Sequence, residues 1–217
     1  WQLDRAEQKR ETLAEFDKRA EASELDLNRM FTRDSESMWG RYATVTGHYT
    51  GPIILLDNQI LEGRAGYFVY TAFAISETEL TLLVNRGWIP VEGDRSRIPE
   101  VINPTGEQRL KGLLSHPPQQ GLRLTDSNLI ERLSNSVWRV GGIDFNALSA
   151  TGIGGELIPI TLLLEASAAE GFDRVWTPPG SDEARHLGYA FQWFALAVTV
   201  VVVSVIILLR RAKAESL

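Results

Sequence analysis

The sequence predicts an α+β membrane protein, in which an antiparallel, barrel- or sandwich-like β-rich domain precedes a C-terminal transmembrane helix. Three observations lead to this fold class. An uncharged apolar run covers Leu187–Leu209, short strand-like segments follow one another from Trp39 to Leu164, and the N-terminal stretch is charged with a helix-like spacing of apolar residues.

The apolar run at the C-terminal end is long enough to cross a membrane. Leu187–Leu209 contains no charged residue, and a helix of this run reaches roughly 34 Å, more than a hydrocarbon core of about 30 Å. Tyr189, Trp193 and Phe194 lie at its N-terminal end, where interfacial aromatic residues are enriched. We therefore expect a transmembrane helix over residues 186–210.

The charges that flank this helix predict its orientation. Arg210, Arg211 and Lys213 follow the apolar run, and an excess of Lys and Arg marks the cytoplasmic side. Residues 211–217 are expected to form a cytoplasmic tail, and the large domain before the helix is expected outside the cytoplasm. Export requires a segment upstream of Trp1, either a cleaved signal peptide or a first transmembrane helix.

The N-terminal stretch, residues 1–36, is predicted to contain an amphipathic helix. Apolar residues recur at loosely helical spacing among many charges between Trp1 and Glu24. These apolar residues are Leu3, Ala6, Leu13, Phe16 and Ala20. The helix is expected to follow the missing first membrane helix.

Residues 37–183 are predicted to form the β-rich domain, because short strands alternate with Gly and Pro turns. The strand candidates are Tyr42–Tyr49, Ile53–Leu56, Tyr67–Ala74, Leu80–Trp88, Gln108–Ser115, Ser136–Val140 and Leu157–Leu164. Thr50-Gly51-Pro52 is expected to end the first strand. Helix-like pieces are Ser127–Leu133 and Asp144–Ala150, the second with Asp144 as its N-cap.

Composition excludes several classes of function. The chain has no cysteine, which excludes disulfides, thiol catalysis and Cys-ligated zinc, and it has only three histidines. A net charge of −6 argues against nucleic-acid binding. No nucleophile motif, zinc-protease motif, phosphate loop or dinucleotide fingerprint occurs. We therefore expect a protein that is not an enzyme.

His186 is the candidate ligand-binding residue, because it lies at the start of the predicted membrane helix. The i, i+3, i+7 spacing places His186, Tyr189 and Trp193 on one helical face. An imidazole beside aromatic rings can ligate a haem iron, and Arg185 can bind a haem propionate. A polar anchor within the aromatic belt explains the same residues. Arg185 can equally bind a lipid phosphate.

A set of motifs along the whole chain resembles the surfeit locus protein 1 family, assembly factors of haem–copper cytochrome c oxidase. The motifs are Trp1-Gln2-Leu3-Asp4-Arg5, Gly66-Tyr67-Phe68-Val69-Tyr70-Thr71, Leu83–Pro90 (LVNRGWIP), Trp138 with Asp144, and His186 followed by Tyr189–Phe194 (YAFQWF). One departure is Ala72, where that family often has proline; Ala retains a backbone donor, so the strand is expected to continue.

The resemblance implies two membrane helices that flank one exported domain, and a role in haem a insertion and maturation of oxidase subunit I. It implies haem a as a transient cofactor with His186 as iron ligand, and subunit I and other assembly factors as partners beside membrane lipid. The implied location is a bacterial plasma membrane or mitochondrial inner membrane, with the main domain on the periplasmic or intermembrane-space side. The alternative is an accessory or structural oxidase subunit that does not bind haem.

The LVNRGWIP block is predicted to be a structural or interaction motif formed by Asn85, Arg86, Gly87 and Trp88. Strand alternation places Arg86 and Trp88 on the same side, where they can form a cation–π pair or an anion-binding edge. The structural interpretation, which we favour, is that Gly87 allows a β-bulge and Trp88 fills the end of the barrel.

Overall fold

The computed structural model describes residues 2–29, 34–91, 93, 97–118, 130–153, 155–176, 178 and 183–215. The chain is α+β, with a mostly strand-rich domain and one C-terminal apolar helix, as predicted. It divides into two compact units. The strand-rich unit is Lys18–Trp176, and the helical unit combines Trp1–Asp17 with Thr177–Leu217.

The described residues form four helices and eight strands. The helices are α1 (Gln2–Ala20), α2 (Ser35–Met38), α3 (Phe145–Ala150) and α4 (Glu183–Glu215). The strands are β1 (Leu25–Asp26), β2 (Tyr42–Leu61), β3 (Arg64–Ile75), β4 (Leu80–Pro90), β5 (Gln108–Ser115), β6 (Ile130–Arg132), β7 (Val137–Val140) and β8 (Glu156–Leu164).

Five strands close a ring of backbone pairings. β2 pairs with β3, β3 with β4, β4 with β8, β8 with β5, and β5 again with β2. The last pairing returns to the first strand, so the ring is a barrel, one of the two architectures that the sequence predicts. β7 and then β6 extend the sheet from the second half of β2, and β1 pairs beside its beginning.

The prediction of an antiparallel sheet is wrong for three pairings. β4–β8, β2–β7 and β1–β2 are parallel, and the sheet is therefore mixed. A parallel pair needs a long crossover connection, and three strands and α3 lie between β4 and β8 in the sequence. Apolar alternation within a strand carries no information about the direction of its partner.

β2 is longer than predicted because Thr50-Gly51-Pro52 forms a bulge rather than an end. The register against β3 shifts between Thr50 and Ile53, and Gly51 has a φ of +69°. Proline lacks a backbone donor and is tolerated at such irregular positions. The segment Ile53–Leu56, expected as a separate strand, is the second half of β2.

The remaining predicted elements have mixed outcomes. The strands expected around residues 67–74, 80–88, 108–115, 136–140 and 157–164 are confirmed by β3, β4, β5, β7 and β8. β3 continues through Ala72, as expected for a residue that keeps its amide donor. The helix expected over Ser127–Leu133 is wrong at Ile130–Arg132, which form β6; residues 127–129 lie outside the described residues.

The largest apolar cluster takes side chains from every strand of the ring and fills its interior. Its members include Val45 of β2, Phe73 of β3, Val84 of β4, Leu114 of β5 and Ile160 of β8, all buried. Burial of this kind is the main favourable contribution to folding. The barrel therefore provides a rigid support for the residues at its surface.

α4 is the one helix among the described residues that is long and apolar enough to cross a membrane. The candidate span is Leu187–Ile207, and almost none of it is buried within the structure. The hydroxyl of Thr199 donates to the carbonyl oxygen of Ala195 at 2.8 Å. This bond satisfies the hydroxyl within the helix itself, as an apolar environment requires.

Candidate functional site

The LVNRGWIP block contains a β-bulge at the position where the sequence predicts one. Between two cross-strand pairs, β4 has two residues, Arg86 and Gly87, where β3 has only Val69. Gly87 has a φ of +121°, a conformation that side chains rarely allow. The side-chain oxygen of the buried Asn85 accepts a hydrogen bond from the Gly87 amide at 3.1 Å. The bulge is thus stabilised from within the motif.

The bulge lies directly against Glu165–Trp176, the segment that follows β8 and leads toward α4; we call it the exit segment. A Cβ atom on Gly87 would lie 2.9 Å from the carbonyl carbon of Phe172. The Trp88 amide donates to the Asp173 carbonyl at 2.8 Å, and the Asp173 amide donates back at 3.1 Å. Glycine is therefore required where the exit segment meets β4.

Arg86 is almost completely buried and anchors the exit segment through its side chain. Only 3% of the residue is exposed. Its Nη2 donates to Oε2 of Glu170 at 3.1 Å, and its Nη1 donates to Oδ1 of Asn103 at 3.2 Å. A buried guanidinium needs such compensation, because the loss of its hydration is costly. We call Arg86, Glu170, Asn103 and Tyr49 the Arg86 cluster.

The aromatic partners of Arg86 are not Trp88, the partner that strand alternation would allow. Its guanidinium carbon lies 5.0 Å from the ring centroid of Tyr49 and 5.5 Å from that of Phe172. The cation above the ring of Trp88 is Arg64, at 5.3 Å. Arg86 thus stacks on rings other than that of Trp88, because the bulge interrupts the regular alternation that would place the two side chains on the same side.

Tyr49 completes the Arg86 cluster. Its hydroxyl donates to Oε1 of Glu170 at 2.5 Å. Burial, and then the hydrogen bond to Glu170, raise the pKa of Tyr49 above its usual range. The neutral phenol is the form that the fold stabilises. The Glu170 carboxylate thus accepts hydrogen bonds from both the Arg86 guanidinium and the Tyr49 phenol.

The GY motif and the NRGW motif form one packing unit. Trp88 is 1% exposed, and a Cβ atom on Gly66 would lie 2.4 Å from its ring. The indole nitrogen of Trp88 donates to the carbonyl oxygen of Gln59 at 3.0 Å. The two motifs therefore depend on each other: the missing side chain at Gly66 is what makes room for the Trp88 ring.

The exit segment is also held by its own side chains. The Arg174 guanidinium donates to three carbonyl oxygens of this segment, those of Ala166, Ala168 and Glu170. The Trp176 indole donates to the carbonyl oxygen of Leu164 at 2.9 Å, and its ring lies 6.0 Å from that of Phe68. Arg174 and Trp176, at the end of the exit segment, thus fix this segment on the barrel surface.

The W…D motif is structural at both of its positions. Trp138 is 7% exposed and belongs to an apolar cluster. Asp144 is the N-cap of α3, as predicted, and its carboxylate accepts from the amides of Asn146 and Ala147 at 2.9 and 3.1 Å. A capping carboxylate satisfies amides that have no partner within the helix.

The predicted cofactor-binding residues lie at the N-terminal end of α4. Arg185 and His186 belong to its first turns, and their side chains lie outside the described residues. Tyr189 and Trp193 are 48% and 67% exposed. Their four-residue spacing places both rings on one helical face. Cofactor binding by these residues stays a prediction.

The other two histidines have ordinary surroundings. His48 is exposed on β2. His116 stacks on Trp39 with ring centroids 6.1 Å apart, and its Nε2 lies 3.3 Å from Oε1 of Glu36. Among the described residues, no group of three or more His, Asp or Glu side chains is arranged to hold a metal ion.

Sequence reasoning did not find the partners of Arg86. Glu170 and Asn103 are isolated polar residues in irregular segments, and nothing in their local sequence marks them. The sequence predicts a strand at Tyr49 but no role for its side chain. The only local sign is Gly171, whose φ of +114° marks the sharp bend of the exit segment beside Glu170.

Comparison with known proteins agrees with the motif set. The SURF1 family model matches residues 1–198, which include every motif named above. Comparison with curated proteins gave no match. The family is one of assembly factors linked to cytochrome oxidase, not a catalytic family. Since the match covers more than half of the chain, this protein belongs to the SURF1 family.

Proposed function

We propose that this chain is a membrane-anchored assembly factor for haem–copper cytochrome c oxidase, which assists haem a insertion into subunit I. The observation that supports it is the family match, which runs through the barrel and into the apolar helix α4. Buried polar side chains of the strand-rich unit such as Asn85, Arg86 and Thr161 make structural hydrogen bonds. A scaffold or chaperone needs no more chemistry than that.

The first step of the proposal is that α4 spans the membrane. Side chains such as Val200 and Val201 are more than 60% exposed in the protein chain alone, and transfer of such apolar surface out of water is favourable by about 25 cal/mol per Å². Arg210, Arg211 and Lys213 favour a cytoplasmic or matrix C-terminus. The strand-rich unit then lies on the periplasmic or intermembrane-space side.

The second step is that haem a is held as cargo at the N-terminal end of α4. Haem offers a flat apolar macrocycle, an iron that accepts an imidazole nitrogen, and anionic propionates. Tyr189 and Trp193 present exposed rings on the face that His186 shares by helical register. His186 would ligate the iron and Arg185 would meet a propionate. A single protein ligand allows release to the acceptor.

The third step concerns partners. We propose that oxidase subunit I and other assembly factors bind this chain, because cargo at the membrane surface must pass to an acceptor in the same membrane. The second candidate is an accessory oxidase subunit without haem. It is favoured by Ala197 in α4, a small residue that is exposed in the chain and is suited to helix packing.

Deletion of the gene, with complementation by variants, tests these proposals. We expect deletion to lower the haem a absorbance and activity of the oxidase, and His186→Ala to lose haem a that co-purifies with the wild-type chain. His48→Ala is the matched control, because His48 is exposed on β2. An unchanged oxidase after deletion contradicts the assembly role. If His186→Ala fully restores oxidase activity and the haem a content of the oxidase in the deletion strain, the accessory-subunit role is favoured.

A further inference from the structure

A short segment between β4 and β5 lies extended on the surface of the strand-rich unit. We call residues 98–103 the strap; they form neither a helix nor a turn. Pro99 lies within the strap and Pro104 follows it directly. Proline fixes its own φ at about −65° and disfavours the helical region for the residue before it. The two prolines therefore favour an extended chain at this place.

The inward side of the strap is fixed on the barrel. Val101 packs against the apolar cluster that contains Tyr67 of β3. Oδ1 of Asn103 accepts a hydrogen bond from Nη1 of Arg86 at 3.2 Å, and the carbonyl oxygen of Ile102 accepts one from Nη2 at 3.1 Å. Because Arg86 is buried, these bonds hold the second half of the strap in a defined position.

The outward side of the strap carries two apolar side chains with a carboxylate between them. Exposure alternates along the strap, as expected for an extended chain with one packed face. Ile98 is 38% exposed and Ile102 is 74% exposed. Glu100 lies between them and is exposed. It makes no hydrogen bond or ion pair with the residues that the structure describes. This face therefore offers apolar contacts on both sides of an uncompensated negative charge.

The strap also has an unpaired backbone edge. In an extended chain, successive residues direct their amide and carbonyl groups to opposite edges. The edge that contains the Ile102 carbonyl is turned toward Arg86. The opposite edge carries the carbonyl of Pro99 and the amides of Val101 and Asn103. Within the described part of the chain, none of these groups makes a hydrogen bond to another backbone group. This edge is outside the closed ring of the barrel and is open to a further strand.

A cavity of about 440 Å³ adjoins the first half of the strap. The residues that line it include Ile98 and Pro99 of the strap and Ile89 and Pro90 at the end of β4. Cavities that bind ligands begin at roughly 300 Å³, so this one has room for a side chain. In complexes formed by strand addition, main-chain hydrogen bonds provide affinity and pockets for alternate side chains provide specificity.

We infer that the strap binds an extended segment of a partner protein by strand addition. This segment carries a basic side chain opposite Glu100, with apolar side chains two positions away on either side, because cross-strand neighbours pair by opposite charge and by apolar contact. An apolar side chain opposite Pro99 enters the cavity. The inference depends neither on the membrane anchoring of α4 nor on haem.

The charge of the strap argues against a second copy of this chain as the occupant. Antiparallel pairing of two straps, with Ile98 of one opposite Ile102 of the other, places the two Glu100 carboxylates directly opposite each other. Like charges in that position are destabilising. The favoured occupant is therefore a different protein with a cation at the central position.

Designed peptides test the inference on the full chain in detergent. A fluorescent peptide, Thr-Val-Thr-Lys-Leu-Val-Thr, has the required pattern for antiparallel pairing, and a second peptide has Glu in place of Lys. A third is the first with methyl groups on the backbone nitrogens of the two residues that flank Lys, whose amides would donate to the strap. The protein variants are Glu100→Lys and the matched control Glu77→Lys, which changes an exposed carboxylate in the turn between β3 and β4.

We expect the Lys peptide to bind the wild type severalfold more tightly than the Glu peptide, by fluorescence anisotropy. Glu100→Lys should reverse this preference and Glu77→Lys should leave it unchanged. The methylated peptide should bind severalfold more weakly than its parent. Hydrogen exchange at the amides of Val101 and Asn103 should slow when the Lys peptide is bound.

Four results would overturn the inference. If the two peptides bind the wild type and Glu100→Lys with equal affinity, the strap is not the docking site. If the methylated peptide binds as tightly as its parent, strand addition does not occur. If Ile102→Ser converts a dimer of the full chain into a monomer, a second copy occupies the strap. If no peptide binds at millimolar concentration, the strap does not accept an added strand.

Discussion

Arg86 and Glu170 are 84 positions apart in the sequence, yet Nη2 of Arg86 donates to Oε2 of Glu170 at 3.1 Å. Their side chains are only 4% and 20% exposed. The bond joins the most characteristic motif of the chain to the segment that leads toward α4. The motif thus fixes the course of the exit segment on the barrel.

Replacement of Arg86 by alanine should destabilise the strand-rich unit by about 3 kcal/mol, because it leaves the Glu170 carboxylate without its cation. This value is at the low end of the destabilisation expected when one partner of a buried ion pair is removed, because Glu170 keeps some access to water. Arg29→Ala is the control; its pair with Asp26 is 3.6 Å long and mostly exposed, and should contribute less than about 1 kcal/mol.

The measurement is the free energy of unfolding of the detergent-solubilised full chain, from urea denaturation followed by tryptophan fluorescence. If Arg86→Ala and Arg29→Ala unfold at the same urea concentration, the Arg86 cluster does not stabilise the barrel as described.

Gly87→Ala should cost roughly 3 kcal/mol, since it combines backbone strain with a collision against the backbone of Phe172. Gly63→Ala separates the two effects. Gly63 also has a positive φ, but a Cβ atom there meets nothing within 4 Å, so only strain of about 1–2 kcal/mol is expected. Equal stabilities of the two variants would show that the exit segment does not pack tightly on the bulge.

Stability should fall at alkaline pH because of Tyr49. Its pKa is raised in the folded state, so its contribution is complete below the unfolded value of about 10 and is lost as pH rises above it. Tyr49→Phe removes a bond to a carboxylate worth about 2 kcal/mol at neutral pH. The variant should lose less stability than the wild type above pH 10.

Unfolding curves measured from neutral pH to above pH 10 check this prediction, with the exposed Tyr42→Phe as the control. Part of the alkaline loss should persist in Tyr49→Phe, because burial also raises the pKa of Tyr70. Parallel curves for the wild type and Tyr49→Phe would contradict the assignment to Tyr49.

Asp144→Ala should destabilise α3 by about 1 kcal/mol through the loss of the N-cap. Asn146→Ala on the same short helix changes no capping side chain and should have a smaller effect. Hydrogen exchange at the amides of Asn146 and Ala147, which donate to Asp144, gives the readout. Unchanged exchange in Asp144→Ala would mean that the cap is not the source of local stability.

Local sequence patterns correctly predict the elements that depend on neighbouring residues. β5 begins and ends where its apolar alternation predicts, and α3 begins after Asp144 because a capping side chain acts within three residues. The predicted strand end at Gly51 is wrong because glycine occurs both at the end of a strand and in a bulge within one. The two uses differ only in whether a partner strand continues, and in β2 it does.

The candidate site was less predictable, because its interactions connect distant parts of the chain. The bulge at Gly87 followed from one residue, but the ligands of the Arg86 guanidinium come from two irregular segments. The parallel partner of β4 is β8, which sequence alternation cannot select. The residues at the start of α4 were found from their position and family resemblance, and their role awaits the haem experiment.

The closed ring of β2, β3, β4, β8 and β5 also bears on how the protein avoids aggregation. A closed sheet offers no unpaired backbone to a neighbouring chain. The outer strands of the described sheet are β1, with two residues, and β6, with three. Glu131 and Arg132 are exposed on β6, and short charged margins of this kind resist the addition of foreign strands. Copies of the strand-rich unit can therefore lie close together without pairing through the edges of their sheets.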